Sequence, residues 1–80
     1  MKTESFKGKK ITVMGLGLFG GGVGAVKYLA SQGAEVTVTD LKSVEELSAS
    51  LKLLDGLPVK LRLGKHYEED FVNVDMLVVS

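Results

Sequence analysis

The chain has 80 residues, 45% of them apolar and 25% charged, with one proline, no cysteine and a formal net charge of zero. That is room for one small domain of ordinary composition, burying only roughly 60–65% of its unfolded surface. It excludes a disulfide framework, a thiolate metal site and a cysteine nucleophile, and it argues against nucleic-acid binding driven by phosphate contacts.

At the N-terminus, Lys2, Lys7, Lys9 and Lys10, diluted by Glu4, read as a solvated lead-in to a strand. There is no secretory h-region, and no apolar run approaches the ~20 residues of a membrane span, so the expected compartment is the cytoplasm. The segment from Lys10 to Met14 is short, β-branched and flanked by glycine, which predicts a strand. Six of the 10 glycines then fall between Gly15 and Gly24. Phe19, Val23, Val26 and Ala30 recur at helical spacing, and Gly33 stands where a helix-ending glycine belongs, predicting a helix over 19–32.

The β-branched run from Glu35 to Thr39 predicts a second strand, ending at Asp40. Ser43 with Glu46 three residues later is a capping-box pattern. It predicts a helix over 43–54 with Leu47, Leu51 and Leu54 on one face, stopped by Gly56 and Pro58. Residues 59–63 alternate apolar and charged side chains, as a strand near a sheet edge does. Residues 64–73 are polar and predict a turn with one short helix. The apolar run from Met76 to Val79 predicts a strand covered on both faces of a parallel sheet.

This order predicts an α/β fold: a Rossmann-like, doubly wound parallel sheet of about four strands in the order 3-2-1-4. Residues 1–80 form one domain, without repeats or linkers. A buried-type strand at the chain terminus implies the first part of a longer protein.

Gly15, Gly17 and Gly20 fit G-x-G-x-x-G, after a strand and before a helix. The first glycine permits a tight turn, the second close approach to a phosphate, and the third packing of helix on strand. A helix N-terminus there offers N–H groups and partial positive charge to a diphosphate. Gly24 shares a face with Gly20 and reads as a packing position, while Gly21 and Gly22 suit either packing or close ligand approach. Asp40 stands where such folds meet ribose hydroxyls. His66, the only histidine, reads as a surface residue because no partner converges on it in sequence. Asp70 and Asp75 show no catalytic pairing, and Ser80 ends a strand on the side where ligands bind. No nucleophile–base pair, metal-ligand cluster or G-x-x-x-x-G-K-[ST] loop is present, so the chain is expected to bind but not to catalyse alone.

The longer strings are more specific. Residues 8–17 (GKKITVMGLG), residues 29–40 (LASQGAEVTVTD) and the tail Gly64-Lys65-His66, Asp70-Phe71, Val74-Asp75-Met76-Leu77-Val78-Val79-Ser80 resemble the N-terminal domain of the Mur ligases, closest to their D-glutamate-adding branch. The resemblance covers nearly the whole chain but only the first of the family's three domains. It implies a ligase of peptidoglycan synthesis whose partner is UDP-MurNAc-L-alanine, with ATP and magnesium serving domains outside these residues. It also implies that the loop around Gly15, Gly17 and Gly20 cradles the diphosphate through the N–H groups of Leu18 and Phe19. Asp40 would then receive the uracil, with Leu41 and Lys42 flanking it. Phe19 departs from the family's usual serine or threonine, which removes a hydroxyl contact and puts a ring near the diphosphate.

Two other readings stay open on the residues. One is the NAD(P)-binding half of a dehydrogenase or reductase, which the glycines and Asp40 suit equally. The other is a regulatory nucleotide-sensing module without chemistry. Lys42 beside Asp40 favours a uracil nucleotide or the 2′-phosphate of NADP over plain NAD.

Overall fold

A computed structural model describes residues 6–17 and 21–79. The elements run β1 (Lys10–Met14), α1 (Gly21–Ser31), β2 (Glu35–Asp40), α2 (Ser48–Lys52), β3 (Val59–Leu63), α3 (Glu69–Val72) and β4 (Met76–Val79). The strands pair in parallel as one sheet in the order β3-β2-β1-β4, which is the order the sequence predicts.

Register sorts the side chains. Ile11 pairs with Val36 and Met76, and Val13 with Val38 and Val78. Successive side chains on a strand point to opposite faces. One face therefore carries Ile11, Val13, Val36 and Val38, and the other Thr12, Thr37 and Thr39. Val23, Val26 and Leu29 of α1, with Leu47 and Leu54 around α2, form a single buried cluster with the aliphatic face. Each such side chain contributes about 1.5–3 kcal/mol by leaving water.

The threonine face is closed differently, by the segment between β3 and β4. Thr12 Oγ1 donates to the Asp70 carbonyl (2.5 Å), and Thr39 Oγ1 shares a hydrogen bond with His66 Nδ1 (2.7 Å). Arg62 on β3 ties the segment down. Its Nε donates to Asp70 Oδ2 (3.0 Å), its Nη2 to Glu69 Oε2 (2.6 Å), and its guanidinium stacks 4.0 Å from the Tyr67 ring centre. Asp75, just before β4, ties that strand to the start of β1, accepting the Lys10 N–H on Oδ2 (2.8 Å).

Three elements differ from expectation. α1 is described over Gly21–Ser31 and ends one residue short of the expected 19–32, with Gln32 in the cap; residues 19 and 20 lie outside the described residues. Gly33, at φ +87°, donates to the Ala30 carbonyl and Ala34 to that of Leu29 (both 3.1 Å), which is the glycine stop the sequence announced. The capping box forms: Ser43 N–H donates to Glu46 Oε1 (3.0 Å) and Glu46 N–H to Ser43 Oγ (3.2 Å). Yet α2 covers only Ser48–Lys52, not 43–54. The flanking turns close on carbonyls three residues back, Ser48 on Glu45, Leu53 on Ser50 and Leu54 on Leu51. Leu47 and Leu54, on either side of α2, are buried in the core, so docking of the leucines rather than helix propagation shapes this segment. Third, β4 is not covered on both faces: Met76, Leu77 and Val79 are exposed. An apolar run states what a strand requires, but β4 lies at the sheet edge and no described element lies beyond it.

Candidate functional site

The loop leaving β1 crosses the C-terminal end of β2. Gly15 and Gly17 take φ of +97° and +83°, a region costly for any residue with a Cβ. Gly15 N–H donates to the Thr39 carbonyl (2.8 Å), extending the β1–β2 ladder by one rung. The chain then turns over Asp40, which is nearly fully buried.

Asp40 organises this loop. Its Oδ2 accepts the N–H groups of Leu16 (2.8 Å) and, at longer range, Gly17 (3.4 Å). Its Oδ1 accepts the N–H of Lys42 (2.9 Å), which curls the strand end back on itself. Burial opposes ionisation of the carboxyl. The three N–H donors, led by Lys42, and the Lys42 charge outweigh burial and hold the pKa below the usual aspartate value. Two further bonds fix the loop: Ser50 Oγ donates to the Gly17 carbonyl (2.7 Å), and Gly22 N–H donates to that of Leu16 (2.9 Å).

The sequence expectation gave Asp40 to the ligand. The structure gives it a first task as a clamp, with Oδ1 retaining room for one more donor. The N–H groups of Leu16 and Gly17 are already engaged. The anion-binding role expected of Leu18, Phe19 and Gly20 lies outside the described residues.

The extra glycines divide, and here the packing expectation for Gly24 is corrected. Gly24 faces open space. The packing position is Gly22, where a Cβ would collide with the Gly15 carbonyl and come within 2.8 Å of Leu16 Cα. Only glycine lets the helix start approach the loop so closely. Gly21 also meets nothing within 4 Å, so its side of the loop stays accessible.

Gly15, Gly17, Gly21, Gly22, Asp40, Leu41, Lys42 and His66 line one cleft of about 340 Å³. Leu41 is exposed beside it, and Lys42 is half-buried. A larger groove, about 920 Å³, lies at the opposite end of the strands, between Lys10, Glu35, Thr37, Lys60 and Asn73. The smaller cleft is the candidate site, because open parallel sheets bind ligands beyond the C-terminal ends of their strands.

His66 is the residue that sequence reasoning placed wrongly. It is not a free surface side chain. It is half-buried, bonded to Thr39 and set edge-on to the Phe71 ring at 5.7 Å between centres. The available signal was indirect: three threonines on one sheet face need hydrogen-bonding cover. Ser50 was missed as well, because its partner lies 33 residues away. Asp70, expected to lack a catalytic partner, is paired with Arg62 in a structural tie. Among the described residues no cluster of His, Asp and Glu could hold a metal ion, and no helix is long and apolar enough to cross a membrane.

Comparison with known proteins gives a consistent result. The family model described as "Mur ligase MurD-like, N-terminal domain" matches residues 9–80. A UDP-N-acetylmuramoylalanine--D-glutamate ligase of Roseiflexus sp. is 51% identical over 71 residues, covering 89% of this chain and 15% of that protein. Proteins of the same name from Treponema pallidum and Borreliella burgdorferi are 44% and 41% identical over 73 and 80 residues. They are covered over 14% and 18% of their length, against 90% and 98% of this chain. No solved structure matches.

Proposed function

The chain belongs to the MurD-like branch of the Mur ligases, as its N-terminal domain, and from that premise we propose that it holds the UDP portion of UDP-MurNAc-L-alanine for a ligase that adds D-glutamate in peptidoglycan synthesis. The observation that carries the reading is the family match over 9–80, whose glycine loop and Asp40 bound a cleft beyond the strand ends.

In this reading the diphosphate lies along the glycine loop near Leu18, Phe19 and Gly20. The base lies toward Asp40, between Leu41 and Lys42. Asp40 uses most of its acceptor capacity on backbone N–H groups, and its Oδ1 offers one contact to a ring N–H. Leu41, turned outward by the Asp40–Lys42 bond, supplies an apolar surface for the base.

ATP and magnesium belong to the proposed ligase, but the residues here do not fit them. The sequence has no G-x-x-x-x-G-K-[ST] loop, and among the described residues no group of His, Asp and Glu could hold a metal ion. The bond-forming chemistry is therefore assigned to other parts of a longer protein in the cytoplasm.

The test is a titration of the 15N-labelled chain with UDP and, separately, with NAD. Saturable amide shifts confined to residues 15–22 and 40–42 with UDP alone are expected. Shifts with NAD alone would overturn the proposal in favour of a dehydrogenase half.

A further inference from the structure

We propose that His66 is a further ligand-contacting residue of the glycine-loop cleft, donating from Nε2 to a phosphate oxygen of a nucleotide diphosphate. The inference rests on the nucleotide-binding reading above and adds to it a residue from a different part of the chain.

His66 comes from the turn between β3 and α3, on the face of the sheet opposite α1. Three ties hold that turn in place: the Thr12 bond to the Asp70 carbonyl, the Arg62 pair with Asp70, and Arg62 stacked on Tyr67. Phe71 fixes the ring from its edge, and Thr39, fully buried, bonds Nδ1 at 2.7 Å. One ring nitrogen is thus spent on a buried hydroxyl, and the residue lines the cleft, so Nε2 is the ring nitrogen left over for a ligand. Among the described residues Nε2 has no hydrogen-bond partner.

The Thr39 hydroxyl can donate to Nδ1 or accept from it. In the proposed arrangement the hydroxyl donates, so that the neutral ring carries its proton on Nε2 and Nε2–H is free to donate to a ligand. The opposite tautomer, with the proton on Nδ1, would make Nε2 an acceptor and would not serve an anion. The charges around it suit an anion. Among the described residues Asp40 is the one acidic side chain lining the cleft, and its negative charge is taken up by three backbone N–H groups. Lys42 adds a cation on the same wall.

The test compares UDP with uridine on the 80-residue chain, by amide titration and by the ring 15N signals of His66. Expected are a UDP-induced shift of the Nε2 signal, with no comparable shift from uridine, and a loss of UDP affinity of roughly tenfold in His66→Ala. Uridine affinity should hold within about twofold in that variant. His66→Gln, which can place a donor near the same point, should recover part of the loss, and Thr39→Val should fall between. The ring signal of the unaltered chain keeps the test valid even if a variant folds poorly. Amide shifts at residues 15–22 with a silent His66 ring would overturn the proposal and leave the nucleotide reading intact. No UDP response at the glycine loop would overturn both.

Discussion

The two faces of the sheet are closed by opposite chemistries. Toward α1, Ile11, Val13, Val36 and Val38 meet valines and leucines in one buried apolar cluster. Toward the turn between β3 and α3, Thr12 and Thr39 are as completely buried, but each is matched to one named acceptor or ring nitrogen. The first face tolerates small adjustments because apolar burial has no direction. The second has few solutions, since a buried hydroxyl that loses its partner is costly. A directional face is the one able to hold a side chain such as His66 at a fixed point beside a cleft.

Neighbouring residues on β1 give the sharpest comparison. Ile11→Ala should lose about 2–5 kcal/mol in urea unfolding, a large fraction of what a domain of this size holds. Asp40→Asn should lose about 1.5–3 kcal/mol, because a neutral amide replaces a charged acceptor of several N–H groups. The same residue sets a pH dependence. Its folded pKa is depressed, so its contribution is present above the unfolded value of about 3.9 and fades as pH falls through the lower folded value. Unfolding measured from pH 7 down to pH 2 should show a loss below pH ~4 that Asp40→Asn reduces.

Thr12→Val should cost about 1–2 kcal/mol, less than Ile11→Ala, through the stranded Asp70 carbonyl. A cost equal to that of Ile11→Ala, or none, would break the contrast between the faces. Smallest is Gly24→Ala, in open space on α1, expected to stabilise by about 0.5–1 kcal/mol and raise the thermal midpoint. Gly22→Ala, two residues earlier, should destabilise instead, since its Cβ would meet loop backbone.

Much of the fold was legible because its signals are local. β-branched runs, a helix-stopping Gly33 and a glycine loop each act within a few residues, and parallel pairing with crossovers leaves few strand orders. The shortened α2 was not legible, because a correct capping box starts a turn without ensuring that it propagates. Nor was the exposure of β4, since a run of apolar residues carries no information about which element covers it. At the site, the positions of Gly15, Gly17 and Asp40 followed from motif spacing. The clamp role of Asp40 did not, because it depends on N–H groups 23 and 24 residues away.

The sequence by itself determined the strands, their order, the left-handed glycines and the family. These follow from conformational preference and short-range pattern. Only the tertiary structure decided that Gly22 rather than Gly24 makes the close contact, that Asp40 serves the loop before any ligand, and that His66 stands at the cleft. Each depends on atoms brought together from distant positions, 27 residues apart for Thr39 and His66, where the outcome is set by packing and hydrogen-bond geometry that no local pattern encodes.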